Sequence, residues 1–219
     1  SRPEVVTDLL APWVGKTPHT VIRAATYRFH GLIAKDWRKG RVFLAGDAAH
    51  QTPPFFGQGM CHGMRDVANL AWKLQLVVQD GASDRLLDTY QQERDAQVRH
   101  VIGKAIEAGK YICILDPAKA AERDERVRSQ TDIRTAAELI APIASGIVSP
   151  GAGERFVNPA VDADAKLLDD VTSGGWVLLH GREIALSPDA DAVLHRLGAR
   201  RFRIGTDLAD PEGQLRQWL

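Results

Sequence analysis

Residues 43–66 read FLAGDAAHQTPPFFGQGMCHGMRD, and this stretch decides how the rest of the chain is read. The apolar run at 41–45 stops at Gly46 and Asp47, the pattern of a buried strand ending at the carboxyl edge of a sheet. Open α/β folds bind ligands at that edge. An ionised Asp only accepts hydrogen bonds, so Asp47 suits the hydroxyls of a sugar or ribityl chain. Pro53 and Pro54 stiffen the following segment and remove two backbone donors. Gly57 and Gly59 lack a Cβ and let a ligand approach the main chain. A helix then begins near Gly59 or Met60, and its unsatisfied N–H groups present about half a positive charge to the loop. A hydroxyl acceptor, a rigid wall and an anion-favouring helix terminus thus follow one another in order, a stronger signal than a glycine-rich loop alone.

Downstream, Met60, Met64, Val67, Ala71, Leu74 and Val78 recur at helical spacing and predict an amphipathic helix to about Gln79. Gly81 ends it, and Ser83 or Asp84 caps the next. There Leu87, Tyr90, Arg94, Val98, Val101 and Ala105 share a face, and Asp116-Pro117 stops the run after Leu115. Upstream, residues 4–14 have helical spacing, residues 20–29 (TVIRAATYRF) read as a strand, and residues 37–40 form a turn. Residues 117–144 predict two solvent-exposed helices, and residues 142–159 an irregular linker. Beyond the linker, a strand at 176–180, a helix at 188–197, a strand at 202–204 and a helix from Pro211 suggest a small parallel βαβ unit.

Length and charge narrow the function classes. The 219 residues suffice for one large domain or two small ones. Lys plus Arg and Asp plus Glu are both 28, so no basic excess points to nucleic acid or a membrane surface. The two cysteines, Cys61 and Cys113, show no metal-ligand or disulfide spacing, and no metal is expected. No apolar run is long enough to span a bilayer and no signal-peptide pattern opens the chain, so a cytoplasmic location is expected. The chain starts without Met and stops inside an expected helix, and it reads as a fragment of something larger.

The run GRVFLAGDAAH at 40–50, then Pro53-Pro54, Gly57-Gln-Gly59 and DVANLAWKL at 66–74, resembles the second FAD motif of the class A flavoprotein aromatic hydroxylases, the p-hydroxybenzoate hydroxylase type. The likeness extends upstream through YRFHGLIAKDWRKG at 27–40 and downstream to YQQER at 90–94. The tail, GWVLLHG at 175–181 and LGARRFRIG at 197–205, is similar to the thioredoxin-like domain of the hydroxyphenylpropionate hydroxylase branch. The fold class this implies is α/β: the C-terminal part of an FAD-binding domain followed by a small thioredoxin-like α/β domain. Its parts are the end of a substrate-binding domain at 1–29, FAD-binding residues at 30–115, a helical or irregular linker at 116–160, and a truncated thioredoxin-like domain without a CxxC at 161–219.

The resemblance implies roles residue by residue. Gly46 and Asp47 meet the ribityl chain of FAD, and Met60 and Cys61 turn their amides to the pyrimidine oxygen of the flavin ring. Pro54, Gly57 and Gly59 complete the cofactor contacts, while Pro53 and Phe55 face the substrate. Cys61 stands where relatives often have Asn, and Ala96 where a proline often follows. No side chain is expected to be catalytic, because the flavin does the chemistry. The implied reaction is hydroxylation of a phenolic or other aromatic substrate with O2 and NADH or NADPH, through a flavin C4a-hydroperoxide. No GxGxxG unit for the ADP part of FAD occurs in these residues, so the fragment alone is expected to bind FAD weakly and to be inactive. Two alternatives remain: a non-catalytic module that mediates self-association into a homo-oligomer, and an FAD oxidoreductase of the same fold that does not hydroxylate.

The remaining polar residues divide by their expected surroundings. His50 is equally suited to a place near the flavin and to a structural hydrogen bond. His62, in the first turn of its helix, is expected to face solvent, because a protonated ring there opposes the helix dipole. Cys61 is expected to be an inert, buried thiol. Tyr90, Glu93 and Arg94 are expected to pack and pair structurally.

Overall fold

Pro3 sits in the first turn of α1, Pro3–Val14, where its missing N–H leaves no helical bond unmade. The computed structural model describes residues 2–129 and 140–218, and the chain divides into two units, 1–154 and 155–219. After α1 the expected strand at 20–29 is not formed: these residues have no regular structure, and Val21, Ile22 and Tyr27 are exposed. Strand propensity needs a partner strand to act on, and none of the described strands pairs with this segment.

The expected buried strand at 41–45 is also corrected. It forms only Val42–Phe43 (β3), which pairs antiparallel with Arg38–Lys39 (β2) across a turn at Gly40. Leu32–Ile33 (β1) pairs antiparallel with His50–Gln51 (β4), so two short ribbons frame the Gly-Asp motif in place of a continuous parallel strand. Apolar run length alone could not distinguish these arrangements.

Two long helices follow, Gly59–Val78 (α2) and Thr89–Ile112 (α3). The face predicted for α3 is the buried one: Leu87, just ahead of it, and Tyr90, Arg94, Val98, Val101 and Ala105 are all inside. Trp37, Ala49, Leu70, Leu87, Tyr90, Val98 and Ile102 make the core of this unit. Each large apolar side chain there contributes about 1.5–3 kcal/mol by leaving water. The polar ends of the core aromatics are also satisfied. The Tyr90 hydroxyl donates to the Leu44 carbonyl at 3.0 Å, and the Trp37 indole N–H to the Ala34 carbonyl at 3.1 Å.

The face predicted for α2 is inverted. Met60, Met64, Val67, Ala71 and Val78 are exposed, only Leu74 of the predicted face packs half-buried against the core, and the buried residues are His62, Asp66, Leu70 and Lys73. An exposed helix Pro117–Ser129 (α4) comes after α3. Its Arg123 donates to the Tyr111 and Ile112 carbonyls, capping the end of α3. The second helix expected in 117–144 falls mostly at 130–139, outside the described residues.

In the second unit, Leu168–Thr172 (α5) precedes the strand Val177–His180 (β5), the helix Pro188–Arg196 (α6) and the strand Arg200–Arg203 (β6). β5 and β6 are parallel, in register from Val177 opposite Arg200 to His180 opposite Arg203, as the strand–helix–strand pattern predicts. Ser187 caps α6 by accepting from the Ala190 amide. Val161, Leu168, Phe202, Ile204, Leu208 and Leu215 form a core of their own. The helix expected from Pro211 gives way to turns and a short 3-10 segment, Arg216–Trp218. The Asp210 carboxylate accepts from the Leu215 and Arg216 amides at 3.0 and 3.1 Å, holding the backbone in a turn that competes with a helix.

Candidate functional site

Gly46 opens the site in a backbone conformation that its sequence makes available. Its φ of +57° is left-handed, and the next residues coil into a single 3-10 turn, Gly46–Ala48, closed by the Ala49 amide on the Gly46 carbonyl. The turn lies directly against α2: a Cβ built on Gly63 would stand 3.5 Å from the Gly46 Cα. Two glycines thus set the distance between motif and helix, and the carboxylate of Asp47 is left exposed beside them.

A groove of about 720 Å³ runs along this junction, lined by Gly46, Asp47, Gly59, Met60, Gly63, Met64, Val67 and Ala68. The first half of the predicted apolar stripe, Met60, Met64 and Val67, is therefore one wall of an open groove. The helix N-terminus ends in the same place. The first bond of α2 runs from the His62 amide to the Gln58 carbonyl at 2.9 Å, and Gln58 makes no side-chain cap. The amides of Gly59, Met60 and Cys61 therefore precede the helical ladder and carry the positive end of the dipole.

Of the sequence-predicted residues, the structure brings Gly46, Asp47, Gly59 and Met60 to this groove. Cys61, half-buried, takes the next helical position. Pro53, buried, and Pro54 lead into the 3-10 turn Pro54–Phe56, which Gly57 ends in the left-handed region at φ +61°. Phe55 is not in the groove lining. It packs edge-on against Phe29 at 5.4 Å, with Tyr27 6.3 Å beyond Phe29, and its ring presses on Gly109 of α3 where a Cβ would not fit. A second cleft, of about 780 Å³, holds Arg38, but that guanidinium is already paired with Asp84 and Asp88, each at 2.5 Å.

Beneath the groove lies a buried charge network in which Glu93 and Arg94 pair structurally, as expected, with two partners that the sequence reading missed, Lys73 and Asp66. Asp66 is fully buried, and its Oδ2 accepts from the Gly46 amide at 3.0 Å and from His50 Nε2 at 2.6 Å. Its Oδ1 accepts from Arg94 Nε at 2.9 Å. Arg94 also donates to Gln97 and to His62 Nδ1. One turn pair further along, Glu93 accepts from Lys73 Nζ at 2.7 Å, from Asn69 at 2.6 Å and from the Ile147 amide at 3.0 Å. Residues 62, 66, 70 and 73 recur at the same helical period as the apolar stripe, and this was the available signal.

The titration behaviour follows from burial and pairing. Burial raises the Asp66 carboxyl, but the bonds from His50, Arg94 and the Gly46 amide together hold it below its ordinary value. Glu93 is likewise lowered: burial opposes, and Asn69, the Ile147 amide and Lys73 prevail. Burial draws the Lys73 ammonium down despite Glu93. His62 is not solvent-facing as expected but buried, and burial, aided by the positive charge of Arg94, lowers it to about 4. His50 takes the structural alternative, bonded to Asp66 and 5.3 Å from the Trp37 ring. His50 Nδ1, Thr52 Oγ1 and His62 Nε2 are buried without a hydrogen-bond partner among the described residues. No group of His, Cys, Asp and Glu among the described residues could hold a metal ion, and no described helix is long and apolar enough to cross a membrane.

A left-handed Gly-Asp turn, an exposed carboxylate and an uncapped helix start thus meet on one groove, an arrangement suited to a ligand that offers hydroxyls and carries negative charge. Residues 4–105, within the first unit, match the FAD binding domain family. The chain is 38% identical over 181 residues to the probable NADH-specific resorcinol 4-hydroxylase of Rhodococcus jostii, covering 81% of the chain and 34% of that protein. It is also 38% identical over 200 residues to the 3-(3-hydroxy-phenyl)propionate/3-hydroxycinnamic acid hydroxylase of Mycolicibacterium smegmatis, covering 81% and 35%. Among solved structures, aklavinone-11 hydroxylase in complex with FAD and aklavinone is 30% identical at a TM-score of 0.59, over 84% of this chain and 37% of that one. The chain spans about a third of the length of these relatives.

Proposed function

We propose that the chain supplies the flavin-ring side of the FAD site in a monooxygenase that hydroxylates a phenolic or related aromatic substrate. The carrying observation is that Asp47 and the uncapped start of α2 meet on one groove. In this reading Asp47 accepts hydrogen bonds from the ribityl hydroxyls. The Met60 and Cys61 amides face the pyrimidine oxygen, where the helix dipole favours negative charge. Pro54, Gly57 and Gly59 complete the cofactor contacts, the glycines allowing close approach of the main chain, and Pro53 and Phe55 wall the substrate side. Bound FAD supplies the redox chemistry, taking electrons from NADH or NADPH and using O2 to hydroxylate the ring. The Rhodococcus relative, a probable NADH-specific hydroxylase, favours NADH as reductant.

The parallel β5–α6–β6 unit is proposed as a thioredoxin-like domain without the CxxC, serving packing or self-association, and the protein as a cytoplasmic one. The 219-residue chain by itself is proposed to hold FAD only weakly, because the ADP-gripping motif is not among its residues. NADH and NADPH consumption by a protein that joins this chain to such a motif, with a panel of phenols and product identification, tests the activity. A hydroxylated product from at least one phenol supports it. Peroxide formation without product from every phenol contradicts it and favours the non-hydroxylating oxidoreductase.

A further inference from the structure

We propose that Asp66 is the positioning residue of this site, and that it acts by clamping the two ends of the turn that displays Asp47. One carboxylate oxygen, Oδ2, accepts from the Gly46 amide at the entry of the turn and from His50 at its exit. The backbone amide that opens the Gly46–Ala48 coil and the side chain two residues beyond its end are therefore tied to a single atom of α2. The other oxygen is held by Arg94 of α3, so the carboxylate cannot swing without breaking a charge-assisted bond on each side. Asp66 is fully buried and does not reach the groove, whereas Asp47 is exposed to it. The buried acid fixes the geometry and the exposed acid uses it.

The alternative acceptor for the Gly46 amide is water, which would leave a left-handed glycine turn free to sample other conformations. A ligand whose hydroxyls must meet Asp47 would then bear the cost of ordering the turn. The inference rests on the flavin reading of the groove and deepens it: recognition of the ribityl chain, as distinct from the ring, depends on Asp66.

The test uses the isotopically labelled 219-residue chain, with riboflavin and lumiflavin as probes, since the two share the ring and differ in the ribityl chain. In the wild type, the Gly46 amide is protected from hydrogen exchange, and riboflavin perturbs the Gly46 and Asp47 resonances at lower concentration than lumiflavin does. In Asp66→Asn the one remaining oxygen is held by the Arg94 guanidinium, and the NH2 group that then faces Gly46 cannot accept from its amide. Exchange at Gly46 then accelerates about 10- to 100-fold, the loss expected for a hydrogen bond to a charged group, and the preference for riboflavin falls toward unity. Leu70→Ala, a packing change on the same buried face, speeds exchange across the unit and leaves the preference intact.

Unprotected Gly46 in the wild type overturns the clamp without recourse to any variant. A preference that survives Asp66→Asn, or one that Leu70→Ala removes equally, overturns the positioning role. A protected Gly46 in a wild-type chain that does not prefer riboflavin overturns the flavin reading beneath it, a result distinct from failure of the clamp.

Discussion

Helices α2 and α3 carry the same sequence signal and resolve it in opposite ways. In α3 the residues at helical spacing from Tyr90 to Ala105 are the buried ones. In α2 the apolar series from Met60 to Val78 is largely exposed, and the buried face holds Asp66, Lys73 and His62 around Leu70. Periodicity reports that a helix has two faces; it does not say which face meets the neighbouring helix. In α2 the polar face is buried because α3 supplies partners of opposite charge, Arg94 for Asp66 and Glu93 for Lys73. The first half of the apolar face lines the groove beside Asp47 instead.

The largest effect should come from breaking the buried face. Asp66→Ala strands Arg94 in the interior, and loss of one partner of a buried pair costs about 3–5 kcal/mol. Urea unfolding followed through the buried Trp37 would measure it; a change below 1 kcal/mol would show that Arg94 finds water readily. The next effect is in pH. The unfolded chain takes up the His62 proton near its ordinary value, and the folded chain only near pH 4. The stabilisation is therefore present above pH 6.5 and declines as the pH falls toward 4, by about 3 kcal/mol in total. His62→Gln should flatten this slope, and an unchanged slope would assign it to other groups. The lowered carboxyls of Asp66 and Glu93 contribute separately, below the ordinary carboxylate range.

A smaller cost is expected at the aromatic side of the loop. Gly109→Ala places a methyl against the Phe55 ring and should destabilise by about 1–3 kcal/mol through overpacking, with Phe55 displaced in the resulting structure. The smallest effect belongs to the exposed stripe. Met64→Gln should leave stability within about 0.5 kcal/mol while weakening flavin binding at the groove. A stability loss as large as that of Asp66→Ala would mean that the two faces do not differ as described.

The motif itself was legible before any coordinates, because turn chemistry is local. Gly46 needs a left-handed φ, Gly57 ends a turn, and the α2 amides begin where Gly59 places them. The parallel β5–α6–β6 unit was legible for a related reason, its cap at Ser187 and its strand pattern being short-range signals. The segment at 20–29 was misread because β-branched composition describes a residue's suitability for a sheet, and pairing is a long-range event. Asp66 was overlooked as a site residue because its three partners lie 16, 20 and 28 positions away in sequence. His62 was misplaced because Arg94, which makes a neutral buried ring tolerable, comes from the next helix.

The central claim is that the groove between the Gly46–Asp47 turn and the start of α2 receives the flavin. Mapping amide shifts across the labelled 219-residue chain during titration with FAD tests it most directly. The account predicts the largest shifts at Gly46, Asp47, Gly59, Met60 and Gly63. Largest shifts in the Arg38–Asp84 cleft or in the second unit, or no shifts anywhere, would contradict it.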